Sequence, residues 1–200
     1  MAEPVEIFDI VDAEDRVIGQ APRSRCHGDP SLIHRVAHVL VFDQAGRLLL
    51  QKRSATKDVQ PGKWDTSVGG HLDLGEDYLS AAVREMHEEL GIIDTPLTFL
   101  YRYPLRNDFE SENVATYLAC HPGPFDFCRR EIEAVRFWTP EELAAALGSG
   151  ELTSNFEEEW GYWQAWCRRY LVPAAGPVAL CAGTTFPDLF KSLNSADEGG

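Results

Sequence analysis

Apolar and polar positions along this chain follow two periods. Alternation with a period of two, the mark of a half-buried strand, runs through residues 6–12 and 16–20 around an Asp-rich turn at Ala13, Glu14 and Asp15, and predicts an N-terminal β-hairpin. Residues 36–42 and 48–52 read as two more strands joined by a turn over 43–46. Pro61, Gly62 and Lys63 form a loop before a short strand at 64–68 that delivers Gly69 and Gly70. Residues 97–103 and 113–120 read as paired strands across a polar loop, and 134–138 as a further strand.

Helical spacing appears in three places. Nothing breaks a helix over 77–90, and its apolar face carries Leu79, Ala82, Val83, Met86 and Leu90, which should pack against a sheet. Thr139, Pro140 and Glu142 give an N-cap and first turn for a helix through Leu147. A third helix, over about 156–171, places Trp160, Trp163, Cys167 and Tyr170 on one stripe, which at this spacing reads as core rather than as a base-stacking surface. With no repeat and no linker, the expectation is a single α/β domain over 1–192: a hairpin and loop over 1–33, a core with C-terminal helix over 34–172, and a disordered polar tail at 193–200.

Composition agrees with a globular domain, since 44% of the 200 residues are hydrophobic and 25% charged. No apolar run approaches membrane-spanning length, and residues 1–9 hold acids without a basic region, so neither a leader peptide nor an anchor is indicated and the expected location is cytoplasmic. The five cysteines (Cys26, Cys120, Cys128, Cys167, Cys181) are odd in number and lack Cys-x-x-Cys spacing, which predicts reduced, structural thiols rather than a disulfide framework or a zinc knuckle. A net charge of −14 excludes nucleic-acid polymers and anionic membranes as partners and removes long-range steering of an anionic substrate. A phosphorylated ligand must then rely on local cations.

Candidate chemistry concentrates in residues 70–92. On the predicted helix Glu85, Glu88 and Glu89 stand at i, i+3 and i+4, so their carboxylates crowd one face and repel unless a cation joins them; a hard cation such as Mg2+ suits that set. Gly75 and Gly91 fit a tight loop and a left-handed C-terminal cap. Arg84, two turns from Glu76, can tie the loop to the helix with a bidentate pair.

Gly70, Glu76, Arg84, Glu85, Met86, Glu88, Glu89, Gly91 and Ile92 fill every specified position of G-x5-E-x7-R-E-U-x-E-E-x-G-U, with U aliphatic, so the segment resembles the box of the Nudix hydrolases. The resemblance implies a Nudix fold, a mixed central sheet sandwiched between helices, here with an N-terminal β-hairpin extension. It also implies a Mg2+-dependent pyrophosphohydrolase, Mn2+ being an alternative cation, that cleaves a small-molecule nucleoside diphosphate derivative or a similar organic diphosphate. By that likeness Glu85, Glu88, Glu89 and the carbonyl of Gly70 hold the metal, Arg84 belongs to the catalytic set, and either Glu85 or Glu88 deprotonates the attacking water.

A second, looser resemblance covers residues 5–120. His27, His34 and His71 are spaced like the metal-binding histidines of the type I isopentenyl-diphosphate isomerases, and W-D-T-S-V-G-G-H at 64–71 is similar to that branch's W-T-N-S-V-C-G-H. Tyr101 matches, and Arg23, Arg53 and Lys57 fall where the branch holds basic residues for a diphosphate. This implies a second divalent metal, such as Zn2+ or Mn2+, at the histidines. Two departures count against isomerase chemistry. Gly69 replaces the proton-carrying cysteine, and without a gap the two glutamates of the branch's E-x-E motif fall at Ser111 and Asn113, with Glu110 and Glu112 one register away. Glu110 and Glu112 are therefore additional candidates for ligand or base. The reading is a hydrolase on an isomerase-like framework. An isomerase of prenyl diphosphates and a non-catalytic phosphate-ligand sensor are the alternatives, and the free edges of the hairpin leave a homodimer open.

Overall fold

The computed structural model describes residues 5–57 and 59–170. β1 (Ile7–Val11) and β2 (Val17–Pro22) pair antiparallel as the expected hairpin, with the Asp12 side chain accepting from the backbone N–H of Glu14 and Arg16 in the turn. A single turn of helix follows, α1 (Arg23–Cys26), where the sequence pattern shows only loop. The other strands are β3 (Ile33–Phe42), β4 (Leu48–Arg53), β5 (Trp64–Asp65), β6 (Val68–His71), β7 (Thr98–Arg106), β8 (Ser111–Cys120) and β9 (Ile132–Trp138), which form one seven-stranded mixed sheet. β3 is its hub: it runs parallel to β8 from Ile33 opposite Ser111 to Phe42 opposite Cys120, and antiparallel to β6 from Val36 opposite His71 to Val39 opposite Val68.

Each face of the sheet is covered by helix. Ala37, Val39 and Val41 of β3 meet α2 (Tyr78–Leu90), and Leu40 and Phe42 meet α3 (Pro140–Ala146) and α4 (Ser154–Tyr170). The result is the expected α/β sandwich. α2 begins at Asp77, whose carboxylate accepts from Leu79 and Ser80, and ends at Gly91 with φ 67°, the left-handed cap. α3 opens with a reciprocal Thr139–Glu142 capping box behind Pro140.

Three expectations need correction. The buried stripe of α2 is Tyr78, Ala82, Met86 and Leu90, while Leu79 and Val83 are each 49% exposed. Both sets are rows at i+4, about 100° apart, and Tyr78 takes the inward row because its hydroxyl reaches Asp15 of the hairpin at 2.9 Å. Residues 64–68 are not one strand. β5 pairs with β4, the chain bends at Thr66 and Ser67, and β6 pairs with β3; the buried Ser67 hydroxyl donates to Leu49 O and accepts from Val41 N. Finally, Cys26, Cys128 and Cys167 are free thiols as expected, but Cys120 is disulfide-bonded, a pairing that short-range spacing does not signal. The α4 stripe is core, as read, with Trp166 joining Trp160 and Trp163 and with Cys167 and Tyr170 at its margin. Residues 171–192, Cys181 among them, and the expected tail at 193–200 lie outside the described residues. No described helix is long and apolar enough to cross a membrane.

Asp9 fastens the hairpin to the sheet. Its buried carboxylate accepts from Arg35 of β3 at 3.0 Å, from the backbone N–H of Gly75 before α2 at 2.9 Å, and from Gln20 of β2 at 3.2 Å. Asp9→Ala strips Arg35 of its partner and should destabilise the fold by about 3 kcal/mol in urea unfolding.

Candidate active site

The turn from β6 into α2 brings the acids of the helix to the sheet. A Cβ built on Gly70 would stand 1.9 Å from Cδ and 2.1 Å from Oε1 of Glu85, so the carboxylate occupies the place of the missing side chain. Glu89 sits one helical turn on, accepting from Gln51 Nε2 at 3.1 Å and from the Gly69 backbone N–H at 3.3 Å. Burial first, and then the charge of Glu85, pushes Glu89 up to about 8; burial also raises Glu85. Glu88 stands at the rim, 57% exposed, with Arg84 Nη1 at 3.3 Å. The structure thus sets Glu85 against Gly70 and Glu89 against Gly69, with Glu88 outside them at the rim, so the three carboxylates line one side of the turn without converging as a set within 4.8 Å.

Arg84 braces this arrangement. Its guanidinium donates to both oxygens of Glu76 at 3.1 and 2.8 Å, the expected bidentate pair, and also to the His71 carbonyl at 2.9 Å and to Glu85 at 2.7 Å. Those carboxylates hold its pKa above the usual arginine range, Glu76 most of all. One side chain thereby joins the loop, the end of β6 and the acid cluster.

A second cluster forms on the same sheet. His27 after α1, His34 on β3, His71 at the end of β6 and Glu112 on β8 place their ligand atoms within 4.8 Å of one another. His27 and His71 Nε2 atoms lie 3.2 Å apart, and Glu112 Oε1 is 3.4 Å from His34 Nε2 and 3.5 Å from His71 Nε2. Glu110 Oε2 approaches His27 at 3.7 Å. The gap-free register is therefore corrected: Glu110 and Glu112 face the histidines, while Ser111 donates to Pro30 O and Asn113 donates to Asp15. Alternation along β8 decides this, because His34 lies directly opposite Glu112 in the parallel ladder and a one-residue slip would reverse every side chain. Phe8 of the hairpin closes the cluster, its ring stacked on His71 at 4.3 Å and on His34 at 5.2 Å.

The electrostatics of this cluster would suit a cation. Burial, and after it His71, pushes His27 down to about 3, and burial also lowers His71, so these rings are neutral and able to offer lone pairs. Burial would raise Glu112, but contacts with His34 and His71 outweigh it and hold the carboxyl well below its usual range. Glu110 is raised by burial and by Glu112. His34 Nε2 is buried with no hydrogen-bond partner. Three imidazoles and a carboxylate fit a divalent ion such as Zn2+ or Mn2+.

Both clusters open on one cleft of about 780 Å³. Arg23, Arg53 and Lys57 line it as expected, each facing a carboxylate: Arg23 with Glu6 at 3.1 Å, Arg53 with Asp65 at 2.9 Å, Lys57 with Glu131 at 2.6 Å. His38, Gln51 and Glu131 also line it without a motif to mark them. For His38 a signal exists in the sequence, since it follows His34 by four residues and strand alternation puts both on one face.

The family described as NUDIX domain matches residues 32–156. An uncharacterised Nudix hydrolase of Streptomyces coelicolor is 43% identical over 169 residues, which cover 83% of this chain and 92% of that protein. One of Yersinia pestis is 34% identical over 170 residues, 80% of this chain and 93% of that protein. The crystal structure of DR0079 from Deinococcus radiodurans superposes with a TM-score of 0.68 at 26% identity, covering 77% of this chain and 96% of that one.

Gly70→Ala forces the Glu85 carboxylate away from the β6 backbone. Mn2+ titration followed by electron paramagnetic resonance should show binding weakened roughly 10–100-fold, with the far-ultraviolet dichroism of the fold unchanged.

Proposed function

This chain belongs to the Nudix hydrolase family and is a pyrophosphohydrolase, and from that premise we propose that it cleaves the diphosphate linkage of a polar organic diphosphate, such as a nucleoside diphosphate derivative, in a Mg2+-dependent reaction. The observation that carries the reading is the pair Glu85 and Glu89 pressed against Gly69 and Gly70 in a cleft whose described lining has only two aliphatic side chains, Val36 and Val59. Such a cleft grips charge and hydrogen-bonding groups. It offers no apolar wall to a prenyl chain.

Glu85, Glu89, the rim Glu88 and the carbonyl of Gly70 would hold Mg2+ or Mn2+, which when bound would supply charge neutralisation for phosphate oxygens and a lowered pKa for the attacking water. Gln51 and the Gly69 N–H orient Glu89 for that task, and Arg84 orients Glu85. Either Glu85 or Glu88 takes the proton of the water. Arg23, Arg53 and Lys57 supply positive charge along the cleft, exchanging carboxylate partners for phosphate oxygens. His27, His34, His71 and Glu112 would hold a second divalent ion, and this cluster is what supports kinship with the isomerase branch. Isomerase activity itself is disfavoured. Gly69 carries no proton, and any Cβ there would meet the His38 ring at 3.1 Å. A cytoplasmic location accords with the three free thiols, although not with the disulfide at Cys120.

A panel of nucleotide sugars, nucleoside di- and triphosphates and prenyl diphosphates with Mg2+ tests the reading. Phosphate or monophosphate should be released from at least one polar diphosphate, and Glu89→Gln should slow that release by at least about 100-fold. No release from any member, or a shifted double bond in a prenyl diphosphate, overturns it.

Metal binding should also be linked to pH. Below about 8 the apo Glu89 carboxyl is protonated and must give up its proton to the cation. Mg2+ affinity should therefore fall by roughly tenfold for each pH unit below that value and level off above it. Calorimetry in buffers of different ionisation heat should show the released proton, and Glu89→Gln should abolish it.

A further inference from the structure

His38 and Glu159 form a charged pair that neither metal cluster uses. His38 lies opposite Gly69 of β6 and opposite Thr116 of β8, so these three positions share the sheet face that also carries His34 and Val36. Glu159 descends from α4 with its side chain fully buried. Its Oε2 is 3.1 Å from His38 Nδ1, and its Oε1 accepts from the Thr116 hydroxyl at 2.9 Å. The contact with Nδ1 is an ion pair lying off the line of a hydrogen bond, so charge is what clamps this edge of the imidazole.

The other edge lies against Gly69. A Cβ on that glycine would stand 3.1 Å from Cδ2 and 3.2 Å from Nε2 of His38, and both residues line the cleft. The Gly69 N–H is itself donated to Glu89, so Gly69 links the unclamped edge of the ring, on the α4 face of the sheet, to the acid cluster of α2 on the other. A buried carboxylate with an imidazole is a poor way to add stability, since its desolvation offsets most of the attraction. As a way to present one oriented N–H to a cleft it is effective, because the carboxylate beside Nδ1 selects the ring's orientation and favours the doubly protonated imidazolium, whose Nε2–H is then left to donate.

We propose that His38 is a substrate-binding residue whose Nε2–H donates to a non-bridging oxygen of the bound diphosphate beside Gly69, and that Glu159 is the residue positioning it. This rests on the hydrolase reading for the identity of the anion. Burial alone would drive the proton off the ring, but Glu159, aided by Glu112 and Asp65, outweighs it and lifts His38 to about 9, so the donor is cationic at neutral pH. Other cationic side chains of the cleft, Arg23, Arg53 and Lys57, already face carboxylates. His38 answers its carboxylate with one nitrogen and keeps the second for a ligand.

Methylenediphosphonate with Mg2+ serves as a diphosphate that is not hydrolysed. In side-chain nitrogen NMR of the intact chain its binding should shift the His38 Nε2 resonance, assigned by its loss in His38→Gln. His38→Gln should weaken diphosphonate binding roughly 10–100-fold and raise KM more than it lowers kcat; Glu159→Gln should give an intermediate loss. Gly69→Ala crowds the Nε2 edge without touching Glu159. It should weaken diphosphonate binding with an unchanged melting temperature, and it decides the matter if His38→Gln fails to fold. An unmoved Nε2 resonance in a chain that binds diphosphonate, or unchanged affinity in both His38→Gln and Gly69→Ala, overturns the inference while Mg2+-dependent hydrolysis stands. Diphosphonate binding through His38 in a chain that hydrolyses nothing supports the inference and removes the hydrolase reading instead.

Discussion

The approach of the Glu85 carboxylate to the backbone of Gly70 sets the geometry on which the rest of the site depends. Carboxylates on one helix face repel, and a helix leaning its acids on a sheet would ordinarily be held off by side chains. Here the sheet offers glycine at two successive positions, and α2 comes close enough for Glu85 to fill the space at Gly70 and for Glu89 to accept from Gly69. The surrounding devices act to keep it there. Asp77 and Gly91 fix the ends of the helix, Arg84 ties it to Glu76 and to the end of β6, and Tyr78, Ala82, Met86 and Leu90 seat it on the sheet.

The two clusters on this sheet face opposite electrostatic problems. Glu85 lies deep with Arg84 as its counter-charge, which is shared with Glu76, and Glu89 is offset only weakly, by Lys57 and the Gly69 N–H. Burial accordingly raises both acids, which prepares the group to gain a great deal from a cation. Glu112 instead faces imidazoles, which hold its carboxyl well below the usual range, and burial keeps His27 and His71 neutral, so these three groups are already in the protonation state a metal requires. In a chain of net charge −14 these local balances, rather than the long-range field, govern whether a phosphorylated anion is held.

How much of this was legible in the sequence follows from which physical signals are local. The box, its helix caps and the Arg84–Glu76 pair depend on spacing along one helix, so residue order alone reveals them. What failed is what depends on pairing between distant segments. Leu79 and Val83 form as good an apolar row as Tyr78 and Ala82, and only the contact with Asp15 of the hairpin shows which row turns inward. Ser111 and Asn113 against Glu110 and Glu112 was a question of strand parity, settled by the ladder between β3 and β8. Glu159 could not be read at all, because one acid in an aromatic helical stripe looks like its solvated edge until Thr116 and His38 are brought beneath it.

Position 69 is where framework and chemistry meet. The isomerase-like pattern asks for a cysteine there, and the space such a side chain would enter is bounded by the Cδ2–Nε2 edge of a ring that Glu159 and Thr116 hold in place. A Cβ at 69 would press on the imidazole at 38 and on Thr66 Cγ2 at 3.3 Å, so a side chain there requires the ring to give by a few tenths of an ångström. A thiol facing a carbon–carbon bond needs apolar surroundings for the hydrocarbon, which this cleft lacks. A fixed N–H facing the cleft would need an anion, and Arg23, Arg53 and Lys57 line the same cleft among its carboxylates. Gly69 thus lacks the side chain that isomerase chemistry needs, and its missing Cβ is what leaves room for the Cδ2–Nε2 edge of His38 beside the cleft.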